Sequence, residues 1–141
     1  MEAIVEYERG SDFRLTEAEL LKRGFGEEPE FGAYVADVGN GHLVGMAVHY
    51  EIPFMHSLKP LFMLKWLYVD PQQRGQSIGR SLVKAICKHA VALGYKQFNW
   101  FVLHDNENAK HFYRSLGASK DPEWARWIME EEAVTSLAAE G

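Results

Sequence analysis

The apolar residues of this chain fall into two periods, and the change from one to the other marks its elements. Val44, Met46, Val48, Tyr50 and Ile52 occupy alternate positions, the pattern of a strand with one apolar face. Before them lie a second strand candidate, Phe31 to Val38, and the triplet Gly39-Asn40-Gly41, residues that accept the left-handed backbone of a hairpin turn. Leu61 to Val69 (LFMLKWLYV) is almost continuously apolar, which predicts a central strand covered on both faces. The period then lengthens. Leu82, Val83, Ile86, Ala90 and Leu93 recur at helical spacing from Ser81 onward, and Gly94 supplies the stop. Lys96 to Leu103 (KQFNWFVL) reads as a second core strand, and Asn106 as the cap of a helix from Glu107 to Leu116, closed by Gly117. Nearer the start, Thr16 and Glu19 have capping-box spacing for a helix from Glu17 to Arg23, with Gly24 as its stop. Pro53 and Pro60 bracket a loop. Trp124 to Met129 is a last strand candidate, and EEEAVTSLAAE a final short helix.

This order predicts three antiparallel-type strands followed by one β-α-β crossover, right-handed and joining parallel strands. The fold class is therefore α+β (α/β), a mixed central sheet with helices packed on it. With 141 residues and no repeat, low-complexity tract or linker, one domain over residues 1–141 is expected.

Composition narrows the function. Hydrophobic residues make up 47% of the chain and charged residues 25%, values that suit a packed globular domain. Fifteen basic against twenty acidic residues leave a net charge of −5, which argues against nucleic acid or an anionic membrane surface as the main partner. The single cysteine, Cys87, excludes an internal disulfide, and its place near the apolar stripe of its helix predicts a buried core thiol. The six histidines (42, 49, 56, 89, 104 and 111) show no metal-ligand spacing, so no metal is expected. The start, MEAIVEYERGSDF, has no signal-peptide pattern, and no apolar run reaches membrane-spanning length; a cytoplasmic location is the expectation.

The segment richest in chemistry is VDPQQRGQSIGRSLV, residues 69 to 83. An apolar strand ends at Val69, a loop with Arg74, Gly75, Ser77 and Gly79 follows, and a helix begins at once. Small residues let backbone amides approach a ligand, and a helix N-terminus adds unsatisfied N–H groups and positive dipole. That combination suits a phosphate or pyrophosphate. The glycine spacing matches neither a P-loop nor the dinucleotide fingerprint. Taken alone, the loop is equally a tight strand-to-helix connection with no ligand.

A second segment, NENAKHFYRSLGA at 106 to 118, decides between these. Together the two segments resemble the GNAT superfamily of acyl-CoA-dependent N-acyltransferases. Its Arg/Gln-x-x-Gly-x-Gly/Ala loop is matched by Arg74-Gly75-Gln76-Ser77-Ile78-Gly79, with Ser77 in place of the first glycine. Its later hallmark is matched by Asn106, Ala109, Phe112, Tyr113, Gly117 and Ala118. EAELLKRGFGEEPEF, GHLVGMAVHYE and FYRSLGASKDPEW narrow the resemblance to the diamine and polyamine (spermidine/spermine) N-acetyltransferase branch, from about Tyr7 to Ala139. Relative to that branch the chain is expected to lack the usual first strand and most of the first helix. Two adjacent acids of the branch are replaced by Lys65 and Trp66.

The resemblance implies acetyl-CoA as co-substrate, held by Leu67, Tyr68 and Val69 at the strand end, by Arg74, Gly75, Gln76, Ser77, Ile78, Gly79 and Arg80 around the pyrophosphate, and by Asn106, Ala109 and Tyr113. Tyr113 would be the general acid: a phenol of pKa about 10 protonates a departing thiolate without being ionised at neutral pH. The oxyanion would meet the backbone N–H of Val69 or a neighbour. Lys65, Trp66 and Trp127 are acceptor-side candidates, though Lys65 also reads as a snorkelling or paired lysine and either tryptophan as core. Tyr7 and Glu8 align with substrate-side residues of the branch. Glu51, His49 and His104 are the candidate bases, and water-mediated deprotonation needs none of them.

The expected reaction is direct transfer of an acetyl group to the primary amine of a small molecule (a diamine, an amino acid or a drug-like amine), since no nucleophile and base pair is visible. A cation at position 65 disfavours a polyamine. A homodimer, with exchange of the last strand, is implied by the family and by the exposed sheet edge of a shortened chain. The alternative is a non-catalytic domain that binds acyl-CoA or acts through association, motivated by Ser77 and the missing first elements.

Overall fold

The computed structural model describes residues 16–53 and 59–140. The chain forms two compact units, Met1–Leu103 and His104–Gly141.

In the first unit, helix α1 (Glu17–Phe25) begins at the expected capping box. The Thr16 hydroxyl accepts from the Glu19 N–H at 3.2 Å, and the Glu19 carboxylate accepts from the Thr16 N–H at 2.9 Å. The helix runs past the expected stop. Gly24 lies inside it, and the chain leaves at Gly26, whose N–H donates to the Lys22 carbonyl at 3.1 Å. Gly24 answers a packing need instead: a Cβ there would sit 2.6 Å from the Phe31 ring.

Strands β1 (Gly32–Asp37), β2 (Leu43–Ile52) and β3 (Leu61–Val69) form an antiparallel sheet in the order β1-β2-β3. The β1–β2 turn is the expected one. Gly39, Asn40 and Gly41 all take positive φ, and the Asp37 carboxylate accepts from the Gly39 N–H at 2.7 Å. β2 departs from the one-faced strand its alternation predicts. Val44 and Val48 are buried, but so are Ala47 and His49 on the opposite face. That opposite face carries a helix, because a Cβ at Gly45 would meet Leu82 at 3.2 Å and Ile78 at 3.3 Å.

The helix is α2 (Ile78–Ala92), starting three residues before the expected Ser81. Leu82, Val83, Ile86 and Ala90 are buried, as the stripe requires. Leu93 is not: it falls at the C-cap, beyond the last turn that touches the sheet, and is exposed. Cys87 is also exposed, which corrects its reading as a core thiol; Ile86 takes the inward position and Cys87 is turned one residue further round. Beneath the helix lies a ring cluster. His49 stacks on Phe62 at 5.1 Å and lies 4.7 Å from His89, while Tyr34 stands 6.0 Å from His49 and Tyr95 5.2 Å from Phe62.

The segment 96–103 is not the regular strand its composition predicts. It meets β3 at a single parallel bridge, Met63 with Asn99. Asn99 uses both backbone groups there, its N–H donating to Phe62 and its carbonyl accepting from Leu64, each at 2.9 Å. The parallel return of the crossover is thus present, reduced to one rung among the described residues.

In the second unit, Asn106 caps helix α3 (Glu107–Ser115), its side-chain oxygen accepting from the Ala109 N–H at 3.0 Å. Gly117, at φ 92, follows the helix as expected. Residues 124–129 form no strand among the described residues; a strand exists only as half of a ladder, and this stretch has no ladder partner there. Helix α4 (Glu131–Ala138) closes the unit. No helix of the described residues is long and apolar enough to cross a membrane.

The buried histidine makes stability pH-dependent. Burial, then the neighbouring His89, lowers the His49 pKa from its ordinary 6.5. The unfolded chain therefore takes up this proton first as pH falls. Stability is complete above 6.5 and is lost as pH falls through the lowered folded value. Thermal melts from about pH 7.5 to about pH 5.5 should show a falling Tm. His49→Phe, which keeps a ring between Phe62 and His89, should flatten that slope; an unchanged slope would remove His49 as its source.

Candidate active site

Two local features shape the C-terminal half of β3. The first is a bulge. Val48 pairs with Trp66 and the next residue, His49, with Leu64, so Lys65 is the extra residue on β3. Burial changes at the same point: Phe62, Met63 and Leu64 are buried in succession, Lys65 is exposed, and Trp66 to Val69 are half-buried. The expectation of a strand covered on both faces holds only for its first half. The second feature is uneven pairing. β2 stays paired along β3 to Val69, whereas the segment 96–103 forms one bridge to β3 among the described residues, at Asn99, and packs Phe98 on Phe62.

β3 runs directly into a tight loop. Asp70 donates its N–H to Val44 at 2.8 Å, and its carboxylate accepts from the Gln72 N–H at 2.9 Å, starting a 3-10 turn over Pro71–Gln73. Arg74 folds back, its Nε donating to the Val69 carbonyl at 3.1 Å. Gln76 bonds Gln73 through their side chains at 3.0 Å. Gly75 and Ser77 then take left-handed conformations, at φ 81 and φ 61, on either side of Gln76. Ser77 is the N-cap residue of α2 yet its side chain makes no cap bond. The first bond of the helix runs from the Ser81 N–H to the Ser77 carbonyl at 2.9 Å, which leaves the N–H groups of Ile78, Gly79 and Arg80 without acceptors in the helix.

The charge pattern matches. α1, α3 and α4 carry acids in their first turns (Glu17 and Glu19, Glu107, Glu131 and Glu132), whereas α2 carries none and has Arg80 there. Its positive end is not offset from within. Amides that follow left-handed residues, a helix N-terminus not offset by acids in its own first turn, and Arg74 and Arg80 in the same stretch of chain are donor chemistry that suits an anion.

Lys65 lies with its Nζ 5.5 Å from the centroid of the Trp66 ring, so the two acceptor-side candidates of β3 touch each other at the bulge. In the second unit, Asn106 and Ala109 are joined by the cap bond, and the Tyr113 ring packs edge-on against Phe112 at 5.3 Å on half-buried positions of α3. Lys110 ties this helix to its own loop, donating to the His104 carbonyl at 2.5 Å and pairing with Glu107 at 2.7 Å, a pairing that lowers the Glu107 pKa. Trp127 is 93% exposed.

The three candidate bases have other surroundings. His49 is in the helix–sheet core against His89 and Phe62, away from solvent. Glu51 accepts a short hydrogen bond from the Tyr95 hydroxyl, which pushes the Tyr95 pKa up to about 12. His104 is exposed. Tyr7 and Glu8 lie outside the described residues.

Residues 1–118 match the model of the acetyltransferase (GNAT) family. The chain belongs to the GNAT acetyltransferase family. It is 33% identical over 146 residues to the thialysine N-ε-acetyltransferase of Sus scrofa, a match that covers 96% of this chain and 85% of that protein. It is 29% identical to the L-ornithine N5-acetyltransferase of Arabidopsis thaliana, over 79% of this chain and 49% of that one. Among solved structures, an integron cassette protein of Vibrio cholerae superposes with a TM-score of 0.73 at 25% identity, covering 99% of this chain and 89% of that chain. GNAT acetyltransferases use acetyl-CoA as co-substrate, and this chain is an acetyltransferase of that kind.

Within this GNAT chain, the loop is legible in the sequence and the bulge is not. A bulge is a difference between two registers, and Lys65 in an apolar run is its only local trace. Ser77 is the departure with a measurable consequence. A non-glycine residue at φ 61 carries about 1 kcal/mol of conformational strain that glycine does not. Ser77→Gly should raise unfolding stability by roughly that amount in urea titrations. A loss of stability instead would mean that the serine side chain is held by contacts that outweigh the strain.

Proposed function

We propose that this chain transfers an acetyl group from acetyl-CoA directly to the primary amine of a small molecule that also bears an anionic group. The observation that carries the reading is the left-handed Gly75–Ser77 loop opening onto the N-terminus of α2 directly after β3. Its donors suit a pyrophosphate: the amides of Ile78, Gly79 and Arg80 have no acceptor in the helix, and Arg74 and Arg80 supply guanidiniums from the same segment. Ser77 keeps the left-handed backbone that glycine adopts without cost, so its presence does not argue for a domain that has lost coenzyme binding. Leu67, Tyr68 and Val69, half-buried past the Lys65 bulge, would offer backbone groups to the pantetheine arm and to the developing oxyanion.

The coenzyme supplies the activated thioester. Tyr113 is the general acid, its phenol protonating the departing thiolate, and Asn106 and Ala109 complete the coenzyme side. A free amine in water or at a deprotonated acceptor is the nucleophile, and no side-chain base is assigned. Lys65, beside Trp66 at the bulge, repels a dication and attracts a carboxylate. The relatives named for thialysine and L-ornithine support an amino-acid acceptor with a side-chain amine. The family match crosses the boundary between the two units, which supports one functional domain over residues 1–141.

A homodimer in the cytoplasm completes the reading. Trp124, Trp127, Ile128 and Met129 are exposed on a stretch that forms no ladder among the described residues, and covering them with a second copy removes apolar surface from water. Sedimentation at micromolar concentration should give about twice the 16.1 kDa of one chain; a mass near 16.1 kDa would remove the dimer.

Calorimetric titration with acetyl-CoA, with ATP as control, tests the coenzyme site. Selective binding weakened about tenfold or more by Arg74→Ala is expected. Equal binding of both ligands, or none, would overturn the reading. Tyr113→Phe should leave acetyl-CoA binding intact and lower kcat by roughly 100-fold. Undiminished turnover would remove Tyr113 from its role.

A further inference from the structure

Helix α2 is the one helix of the described residues that contains no acid. Its 15 residues carry Arg80, Lys84 and Lys88 in a chain whose net charge is −5, whereas α1, α3 and α4 each carry at least one glutamate. The three cations are four residues apart, so they fall in one row along the helix. All three are exposed, on the side away from the buried stripe of Leu82, Val83, Ile86 and Ala90. None of them is in an ion pair among the described residues. Like charges at this spacing weaken a helix, and a carboxylate four residues away would relieve them. α2 keeps the repulsion along its whole outer face.

The row starts at the anion chemistry of the loop. Arg80 lies in the first turn, where the N–H groups of Ile78, Gly79 and Arg80 have no acceptor in the helix. Lys84 stands about 6 Å further along the axis and Lys88 about 12 Å. Helical side chains lean toward the N-terminus, so each covers the surface over the turn before its own. Lys84 therefore serves the surface next to Arg80, and Lys88 serves one a full turn beyond. Acetyl-CoA carries two separate anionic centres: a diphosphate and, one ribose away, a 3′-phosphate monoester with a charge of about −2 at neutral pH. The first turn suits the diphosphate, and the second centre then needs a cation adjacent to that turn. We propose that Lys84 is a specificity-determining residue for the coenzyme, its ammonium pairing with the 3′-phosphate while the first turn of α2 holds the diphosphate. This rests on the acetyl-CoA reading and adds to it which part of the coenzyme is recognised by which side chain.

The test is calorimetric titration with acetyl-CoA and with 3′-dephospho-acetyl-CoA, which differ only in that phosphate. Alanine is the best helix former, so Lys84→Ala leaves an exposed position of α2 intact. Wild-type protein is expected to favour acetyl-CoA about fivefold, the scale of an exposed ion pair. Lys84→Ala should abolish the preference by weakening acetyl-CoA alone, and Lys84→Arg should retain it. Lys88→Ala removes the same charge one turn further on and should leave the preference unchanged, which separates a local contact from the general field of the helix. No preference in the wild type, a preference that survives Lys84→Ala, or an equal loss for both ligands in Lys84→Ala would overturn the proposal. Wild-type protein that binds neither form would overturn the acetyl-CoA reading itself, so the two failures are distinguishable.

Discussion

The rest of the site depends on one asymmetry in strand pairing. β3 is paired with β2 along its whole length, from Leu61 opposite Ile52 to Val69 opposite Gly45, whereas among the described residues its pairing with the segment 96–103 is the one bridge at Asn99. The continuous ladder to β2 satisfies backbone groups along β3 and fixes its course as far as the loop that follows. The bulge at Lys65 falls at the same level, where an extra residue increases local twist and turns the strand away from a straight course. Both features act on the five residues, Lys65 to Val69, that precede the loop leading into α2.

That geometry reaches the loop only because α2 is firmly docked. Leu82, Val83 and Ile86 are buried against the sheet, each contributing on the order of 2 kcal/mol by removal from water. The left-handed Ser77 costs about half of one such contact. Packing wins by a wide margin, so the helix imposes the strained start and not the reverse. The same docking brings His89 of the helix within 4.7 Å of His49 on β2, the two rings tilted at 45°, with Tyr34 and Phe62 closing the cluster. A proton on His49 is therefore opposed by the packing that docks α2, which ties the acid stability of the helix to this ring cluster.

What was legible in the sequence follows from the range of the forces involved. The capping box at Thr16 and Glu19, the Gly39-Asn40-Gly41 turn, the Asn106 cap and the α2 stripe are written within four or five residues, and the structure has each of them. The segments 96–103 and 124–129 have strand composition, but a strand needs a partner whose position composition does not encode. Gly24 looked like a stop because glycine ends helices; its reason is the Phe31 ring, seven residues on. Leu93 and Cys87 show that a periodic stripe fixes direction around a helix but not how far along it the contact extends. Of the candidate site, the loop and α3 carried motifs, whereas the bulge at Lys65 exists only as a relation between strands.

The position of Lys65 brings these scales together. Inside a regular strand paired on both sides, a lysine among LFMLKWLYV would have to bury its charge or abandon the register. The bulge resolves the conflict by adding one residue to β3 just past the bridge at Met63, so that Lys65 is exposed while Leu64 and Trp66 stay paired with β2. Its Nζ lies 5.5 Å from the Trp66 ring centroid, which gives the cation an aromatic face beside it. A single irregularity in the backbone thus accommodates a charge that the strand pattern forbids.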